Sequence, residues 1–166
     1  YVMENRALSP DLLMVYIPHL DYALQKYGPD SDKSSNAFKK TERILLDLCQ
    51  ASRQHGYEYV LFGDYAIAPV EKAVFPNRLL AQHGLLKTRT IKNRLYPDFH
   101  SSGAFAVTDH EVAHVYVRDA EQREKTADLF KGMEGVQDVM TETDGHKNSG
   151  EIILTSSEDV WFAYPW

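Results

Sequence analysis

The sequence contains one cysteine, no long apolar run and few clustered cations. Cys49 is the only cysteine in 166 residues, so no disulfide can form within the chain. The longest apolar run, residues 12–17, is far shorter than the roughly 20 residues that span a bilayer. Lys and Arg are scattered and number 18 against 24 Asp and Glu, whereas proteins that read a nucleic-acid backbone cluster their cations. These shortages exclude a disulfide scaffold and argue against both a membrane-spanning protein and a nucleic-acid backbone reader.

The remaining composition is that of a folded domain. Hydrophobic residues make up 43% of the chain and aromatic residues 11%, which is enough apolar side chain to form a core. The length suits one domain with room for a small insertion. The lone cysteine and the lack of a signal-peptide pattern favour a cytoplasmic location.

The first part of the chain has the pattern of a strand, a helix and a strand. Residues 12–17 and 57–62 are nearly continuous apolar runs, typical of strands buried on both faces of a parallel sheet. Between them, Phe38, Thr41, Leu45 and Leu48 recur at helical spacing, and Gly56 ends that pattern. Residues 18–35 are predicted as a long loop. The pattern predicts a right-handed βαβ unit with two parallel strands.

After residue 70 the elements become shorter. A helix is predicted over residues 77–83, where Gly84 follows, and a strand over residues 85–90. Residues 101–147 have the pattern of a compact module with strands and one helix, which we interpret as a small α+β cap inserted into the main sheet. A last strand is predicted over residues 152–154.

Two aspartates are placed where such a sheet would bind a ligand. Asp21 follows the first predicted strand, and Asp64 comes directly after the second. Parallel strands present their carboxyl ends at one edge, where ligands of open α/β sheets bind. Two carboxylates brought together there predict a metal site. The alternative is that both are solvated loop residues or turn caps.

Two segments resemble a known family. Residues 18–29 (PHLDYALQKYGP) and 60–66 (VLFGDYA) are similar to the metal-binding segments of type I phosphodiesterases and nucleotide pyrophosphatases, in the alkaline phosphatase superfamily. Asp21 and Asp64 match two metal ligands of that family. Gln25 and Tyr65 occupy positions where the family has histidine ligands, so they are degenerate ligand positions.

The resemblance implies a fold, an activity and a cofactor. The fold is a three-layer α/β/α sandwich, with residues 1–100 in the core, residues 101–147 as the cap and residues 148–166 returning to the core. The activity is metal-dependent hydrolysis of a phosphodiester, pyrophosphate or related phosphoryl or phosphonate bond in a small substrate. The metal is a divalent cation, zinc before manganese or magnesium. The Ser or Thr nucleophile is expected upstream of Tyr1 and a last histidine ligand after Trp166, which would make the chain the middle of an enzyme.

Other interpretations remain open from the residues. Because Gln25 and Tyr65 are poor zinc ligands, the chain could instead be a catalytically degenerate binding module that keeps the fold. A cap over the metal edge would allow His100, Ser102 or His110 to contact substrate, although surface histidines are common. The aromatic residues near the end, such as Trp161 and Tyr164, are able to stack on a base or sugar, or they belong to a core whose covering residues lie elsewhere.

A rival motif is present at His110, Glu111 and His114, which spell H-E-x-x-H. In zinc peptidases this motif lies on a helix, where residues four apart share one ion. Here the flanking residues are β-branched and aromatic, which favours strands. Four residues along a strand span roughly 13 Å, too far to share an ion. The zinc peptidase is therefore a remote alternative.

Overall fold

The computed structural model describes residues 3–4, 9–142 and 146–166. It divides into two compact units, Tyr1–Pro69 and Val70–Trp166. Helices are combined with parallel and antiparallel strand pairs, which confirms the predicted α/β class. Within the described ranges, no helix is both long enough and apolar enough to cross a membrane.

The first unit is built on two helices, α1 (His19–Tyr27) and α2 (Asp32–Gln54). Helix α1 falls within the predicted loop, so that part of the prediction was wrong. The turn-forming residues of this segment do form a turn, and that turn lies between the two helices. Gly28, at φ +76°, follows α1, and Ser31 then caps α2 by accepting a hydrogen bond from the Ser34 N–H (3.2 Å).

Helix α2 confirms the predicted amphipathic helix and begins several residues before the apolar pattern does. The buried hydroxyl of Ser34 donates to the Gly28 carbonyl (2.6 Å) and ties the helix start to the preceding turn. Near its other end, Cys49 is half-buried on this helix, as expected of a small apolar residue. The helix ends at Gln54, and Gly56 (φ +76°) turns the chain away.

The two strands predicted in this unit, residues 12–17 and 57–62, do not form. Neither segment has strand pairing, and most of their large apolar side chains are exposed, including Met14 (80%), Val60 (83%) and Phe62 (83%). An apolar run becomes a strand only when a neighbouring backbone accepts and donates its hydrogen bonds. No described segment pairs with either run, so the predicted βαβ unit is wrong for this structure.

The second unit contains a four-stranded antiparallel sheet. The core of this sheet consists of small and branched side chains from alternate strand positions, covered by a helix that carries the buried Phe130. The strands, which confirm the predictions after residue 101, are β4 (Ala104–Asp109), β5 (Val112–Val117), β6 (Val136–Met140) and β7 (Ile152–Ser156). The helical segment is a 3-10 turn (Ala120–Gln122) followed by α4 (Arg123–Lys131).

Two smaller sheets complete this unit. Strand β1 (Lys72–Val74) pairs in parallel with β8 (Val160–Phe162), and β2 (Thr88–Ile91) pairs antiparallel with β3 (Arg94–Pro97). Helix α3 (Pro76–Gln82) ends before Gly84 at φ +71°, as the sequence predicts. The division into core residues 1–100, cap residues 101–147 and returning residues 148–166 stays a prediction. In the four-stranded sheet, β7 lies between β5 and β6.

The outer edge of β4 is bonded to a side chain. The Asn77 amide donates to the Ala106 carbonyl and accepts from the Ala106 N–H, both at 2.8 Å, and Asn77 is itself buried. These paired bonds reproduce the contacts that a neighbouring strand would make, and they hold α3 against the sheet.

Thr108 on β4 offers a test of the packing. Its hydroxyl is buried and has no hydrogen-bond partner among the described residues. An unsatisfied buried hydroxyl costs about 1–3 kcal/mol. We therefore expect Thr108→Val, which keeps the shape, to leave the free energy of unfolding unchanged or to raise it by about 1 kcal/mol. Urea unfolding measures this, with Thr90→Val on exposed β2 as the control. A loss of more than about 1 kcal/mol would contradict the described packing.

Candidate active site

The predicted metal-ligand positions Asp21 and Gln25 lie one turn apart on α1. Residues four apart share one face of a helix. The Gln25 Nε2 donates to Asp21 Oδ1 at 3.0 Å and lies 3.2 Å from Oδ2. The amide nitrogen of Gln25, not its carbonyl oxygen, therefore points at the carboxylate.

Tyr65 reaches the same carboxylate from a distant part of the chain. Its phenol donates to Asp21 Oδ1 at 2.7 Å across 44 residues of sequence. The hydrogen bond to Asp21, with the negative charges of Asp21 and the adjacent Asp64, raises the pKa of Tyr65 to about 12. Tyr65 is therefore a protonated donor at neutral pH.

These contacts bring together the two segments on which the family resemblance depends. Asp21, Gln25 and Tyr65 form one hydrogen-bonded cluster, and Asp64 adjoins Tyr65 in sequence. Asp64, Tyr65 and Gln25 are exposed and Asp21 is half-buried, so the cluster is open to solvent. We call Asp21, Gln25, Asp64 and Tyr65 the carboxylate cluster.

The donors of the carboxylate cluster can be compared with what a divalent cation requires. All four side chains carry oxygen, which suits Mg²⁺ or Mn²⁺, whereas zinc sites usually contain nitrogen or sulfur ligands. Among the described residues, no group of three or more His, Cys, Asp or Glu is arranged to hold a metal. A hard cation that keeps most of its water ligands would be compatible with the oxygen atoms of this cluster. The cluster does not fit a closed zinc site.

His100 and Ser102 are placed differently from each other. Ser102 is buried, where its hydroxyl donates to the Asp98 carbonyl (2.7 Å) and accepts from the Lys87 N–H (2.9 Å). His100 is exposed, and its backbone carbonyl accepts from Arg118. Contact of either residue with substrate stays a prediction.

The H-E-x-x-H residues do not lie on a helix. His110 and Glu111 form the loop between β4 and β5, and His114 lies on β5. His110 Nδ1 contacts Asp109 Oδ1 at 2.7 Å, whereas His114 Nδ1 accepts from the Gly150 N–H at 3.2 Å. The zinc peptidase alternative therefore lacks the helical turn that its chemistry requires.

The first unit also contains a cationic groove that was not predicted from the sequence. An open groove of about 630 Å³ is lined by one face of α2 and the start of α1; its residues are His19, Asn36, Lys39, Lys40, Arg43 and Ile44. None of the three cations makes an ion pair with a described residue. The missed signal was helical spacing, since positions 36, 40 and 43 recur on one face of a helix.

Comparison with protein families identifies a family whose model matches this chain. The family model described as type I phosphodiesterase / nucleotide pyrophosphatase matches residues 2–166, which is nearly the whole chain. No curated protein sequence matches.

Proposed function

This chain belongs to the type I phosphodiesterase / nucleotide pyrophosphatase family, and from that premise we propose that it contributes a cation-binding site to a phosphodiester or pyrophosphate hydrolase. The family is of hydrolase type and has an alkaline phosphatase-like α/β fold. The observation that supports the proposal is the contact between Tyr65 and Asp21. It joins the two segments that carry the matching aspartates.

In this proposal Asp21 and Asp64 hold a divalent cation. The family resemblance implies zinc, but the oxygen donors favour Mg²⁺ or Mn²⁺. When bound, such a cation neutralises phosphoryl oxygens and lowers the pKa of an attacking hydroxyl. The nucleophilic Ser or Thr is proposed to lie outside these residues, as in the resemblance.

The chain's own residues have separable roles in the site. Gln25 and Tyr65 donate hydrogen bonds to Asp21, which orients its carboxylate. The cationic groove lies between the same two helices and attracts an anionic substrate to this unit. The proposed substrate is a small phosphorylated or phosphonate molecule.

Binding of the cation tests the proposal directly. Calorimetric titration of the protein with Mn²⁺, Mg²⁺ and Zn²⁺ should give one saturable site that prefers Mn²⁺ or Mg²⁺. Hydrolysis of bis(p-nitrophenyl) phosphate by the protein that contains this sequence should require the same ion. A protein that binds none of the three ions would support the second candidate below.

That second candidate is a binding module without turnover. The observation that favours it is that both donors, Gln25 and Tyr65, are directed at the carboxylate that a cation would need. The module would keep the family fold and bind a phosphorylated ligand in the cationic groove without metal.

The Tyr65→Phe variant shows whether the Tyr65 hydroxyl competes with the cation for Asp21 or is itself a ligand of the cation. Without the hydroxyl, Asp21 loses a hydrogen bond that the cation would otherwise have to displace. We expect Mn²⁺ to bind about 2- to 5-fold more tightly, since an exposed hydrogen bond contributes about 0.5–1 kcal/mol. Tyr22→Phe, on the exposed Tyr22 of α1, is the control. Weaker binding in Tyr65→Phe would make Tyr65 a ligand.

The cationic groove predicts a salt-dependent effect on substrate capture. Replacing Lys40 and Arg43 by Gln should raise KM for an anionic phosphodiester about 5-fold at low salt and leave kcat unchanged, because long-range attraction guides encounter. The difference should shrink as salt increases. Lys125→Gln, on exposed α4, is the matched control. A fall in kcat without a change in KM would contradict a role in capture.

A further inference from the structure

Two side-chain hydrogen bonds join the segments that carry the proposed cation ligands. One is the bond from Tyr65 to Asp21 in the carboxylate cluster. The other lies at the opposite end of the same segments, where the Tyr57 phenol donates to the Pro10 carbonyl (2.5 Å) across 47 residues of sequence. Pro10 lies just before the apolar run that leads to Asp21, and Tyr57 begins the run that leads to Asp64. The two runs are therefore joined where they begin and again where they lead.

No backbone pairing assists these side-chain bonds. Within the described ranges, no backbone–backbone hydrogen bond joins residues 12–17 to residues 57–62. A strand ladder would fix the spacing of the two segments along their whole length. Because that ladder is absent from the described residues, the spacing of the two segments depends on the side-chain bonds at their ends.

Tyr57 is itself held in place by helix α2. Its backbone N–H donates to the carbonyl of Ser52 (2.9 Å), which lies in the last turn of that helix. Tyr57 and Pro10 are both half-buried, whereas the bond from Tyr65 to Asp21 is exposed. A hydrogen bond that is shielded from water is the stronger of two such bonds. The Tyr57 phenol therefore connects the end of α2 firmly to the start of the segment that leads to α1.

A cation site needs such a connection because its ligands repel each other. Asp21 and Asp64 are both carboxylates, and without a cation their charges favour separation. Binding groups must be held within about 0.5 Å of the productive geometry by the residues that support them. The Tyr65 bond cannot provide that support during binding, since it occupies the Asp21 oxygen that a cation would need.

We propose that Tyr57 is a positioning residue of the cation site. Its hydrogen bond to Pro10 keeps the segments that carry Asp21 and Asp64 side by side when a cation displaces Tyr65 from Asp21. Tyr57 acts through the polypeptide and is not a ligand. Its effect on cation binding rests on the proposed function, whereas its effect on the spacing of the segments rests on the two side-chain bonds alone.

Calorimetric titration of the Tyr57→Phe variant with Mn²⁺ tests the proposal. Phenylalanine keeps the ring and removes only the hydroxyl. We expect Mn²⁺ to bind about 3- to 10-fold more weakly, which corresponds to the loss of one half-buried hydrogen bond. This change is opposite in sign to the tighter binding expected for Tyr65→Phe. Two hydroxyls with merely structural roles would not change the Mn²⁺ affinity in opposite directions.

Tyr59→Phe is the matched control for Tyr57→Phe. The Tyr59 hydroxyl belongs to the same run, but it accepts from Arg53 Nη2 (2.7 Å), so its bond joins this run to the end of α2 and not to Pro10. We expect Tyr59→Phe to bind Mn²⁺ as the wild type does. Equal helical circular dichroism of the wild type and both variants shows that each protein is folded.

A measurement without metal separates this proposal from the proposed hydrolase. In metal-free protein, the nuclear Overhauser contact between the Tyr65 ring and the Asp21 side chain reports whether the two segments lie side by side. This contact should lose most of its intensity in Tyr57→Phe and keep it in Tyr59→Phe.

The proposal is overturned if wild-type protein binds Mn²⁺ and Tyr57→Phe leaves either the affinity or the Tyr65–Asp21 contact unchanged. It is also overturned if Tyr59→Phe weakens binding as much as Tyr57→Phe does. If wild-type protein binds no cation, the proposed hydrolase is wrong. The metal-free contact then still decides whether Tyr57 holds the two segments together.

Discussion

Replacing both Asp21 and Asp64 by alanine is expected to abolish cation binding and to lower phosphodiester hydrolysis by about 10³-fold or more. Stabilisation of the transition state by a metal contributes several kcal/mol, and each 1.36 kcal/mol is tenfold in rate. Calorimetry and hydrolysis of bis(p-nitrophenyl) phosphate measure the two effects. Asp47→Ala removes an exposed carboxylate of α2 and should change neither.

The same double variant distinguishes metal ligands from structural caps. Two neighbouring carboxylates without a cation repel each other, and their removal relieves that repulsion. In metal-free buffer the free energy of unfolding should therefore fall by no more than about 1 kcal/mol, which covers the exposed hydrogen bonds to Asp21. A larger loss would mean that the aspartates stabilise the fold, and cation binding that persists in the variant would place the metal elsewhere.

Gly150→Ala is expected to be the most destabilising small substitution in the second unit. A Cβ at Gly150 would lie 2.7 Å from both the backbone nitrogen and the backbone oxygen of Val115, and Gly150 is buried where it precedes β7. Because these are backbone atoms of the central strand β5, relief requires the sheet to shift. We expect a loss of about 3 kcal/mol or more, at the upper end of overpacking effects.

Urea unfolding with Gly132→Ala as the control checks this prediction. Within the described part of the chain, and apart from the neighbouring residues and its own helix, no atom lies within 4 Å of a Cβ built at Gly132, and its φ of −105° suits alanine. The control should change the free energy of unfolding by no more than about 0.5 kcal/mol. Equal stability of the two variants would mean that the segment before β7 does not pack against Val115 as described.

The elements after residue 101 could be predicted because their signals are local. Strands β4 and β5 alternate buried residues with half-buried or exposed ones over six positions each, with a two-residue loop between them. The local sequence pattern favours an extended backbone, and pairing across the hairpin requires the same conformation.

The strands over residues 12–17 and 57–62 could not be predicted in the same way. Their apolar composition indicates that these segments prefer burial. It does not indicate which backbone segment would pair with them. Helix α1 was missed for a related reason: Gly28 and Pro29 dominate the composition of its region, although they follow the helix and end it. Turn residues indicate where an element ends, but they do not indicate whether the segment before them is a helix, a strand or a loop.

The candidate site was predictable in its members and not in its contacts. The family resemblance selected Asp21, Gln25, Asp64 and Tyr65, and the structure brings Asp21, Gln25 and Tyr65 into contact. Spacing could not show that Gln25 and Tyr65 donate to Asp21, because orientation of an amide and a phenol depends on side chains from two distant segments.

The Asn77 side chain has a consequence for how this molecule behaves in a concentrated solution. An open strand edge is a template on which a second molecule can add its own strand, and long chains of such additions precipitate as fibrils. The carboxamide of Asn77 occupies the Ala106 donor and acceptor on β4, the position where an intruding strand would begin to pair. With these two hydrogen bonds in place, the protein should stay monodisperse at concentrations where a variant without the Asn77 amide would associate through its strands.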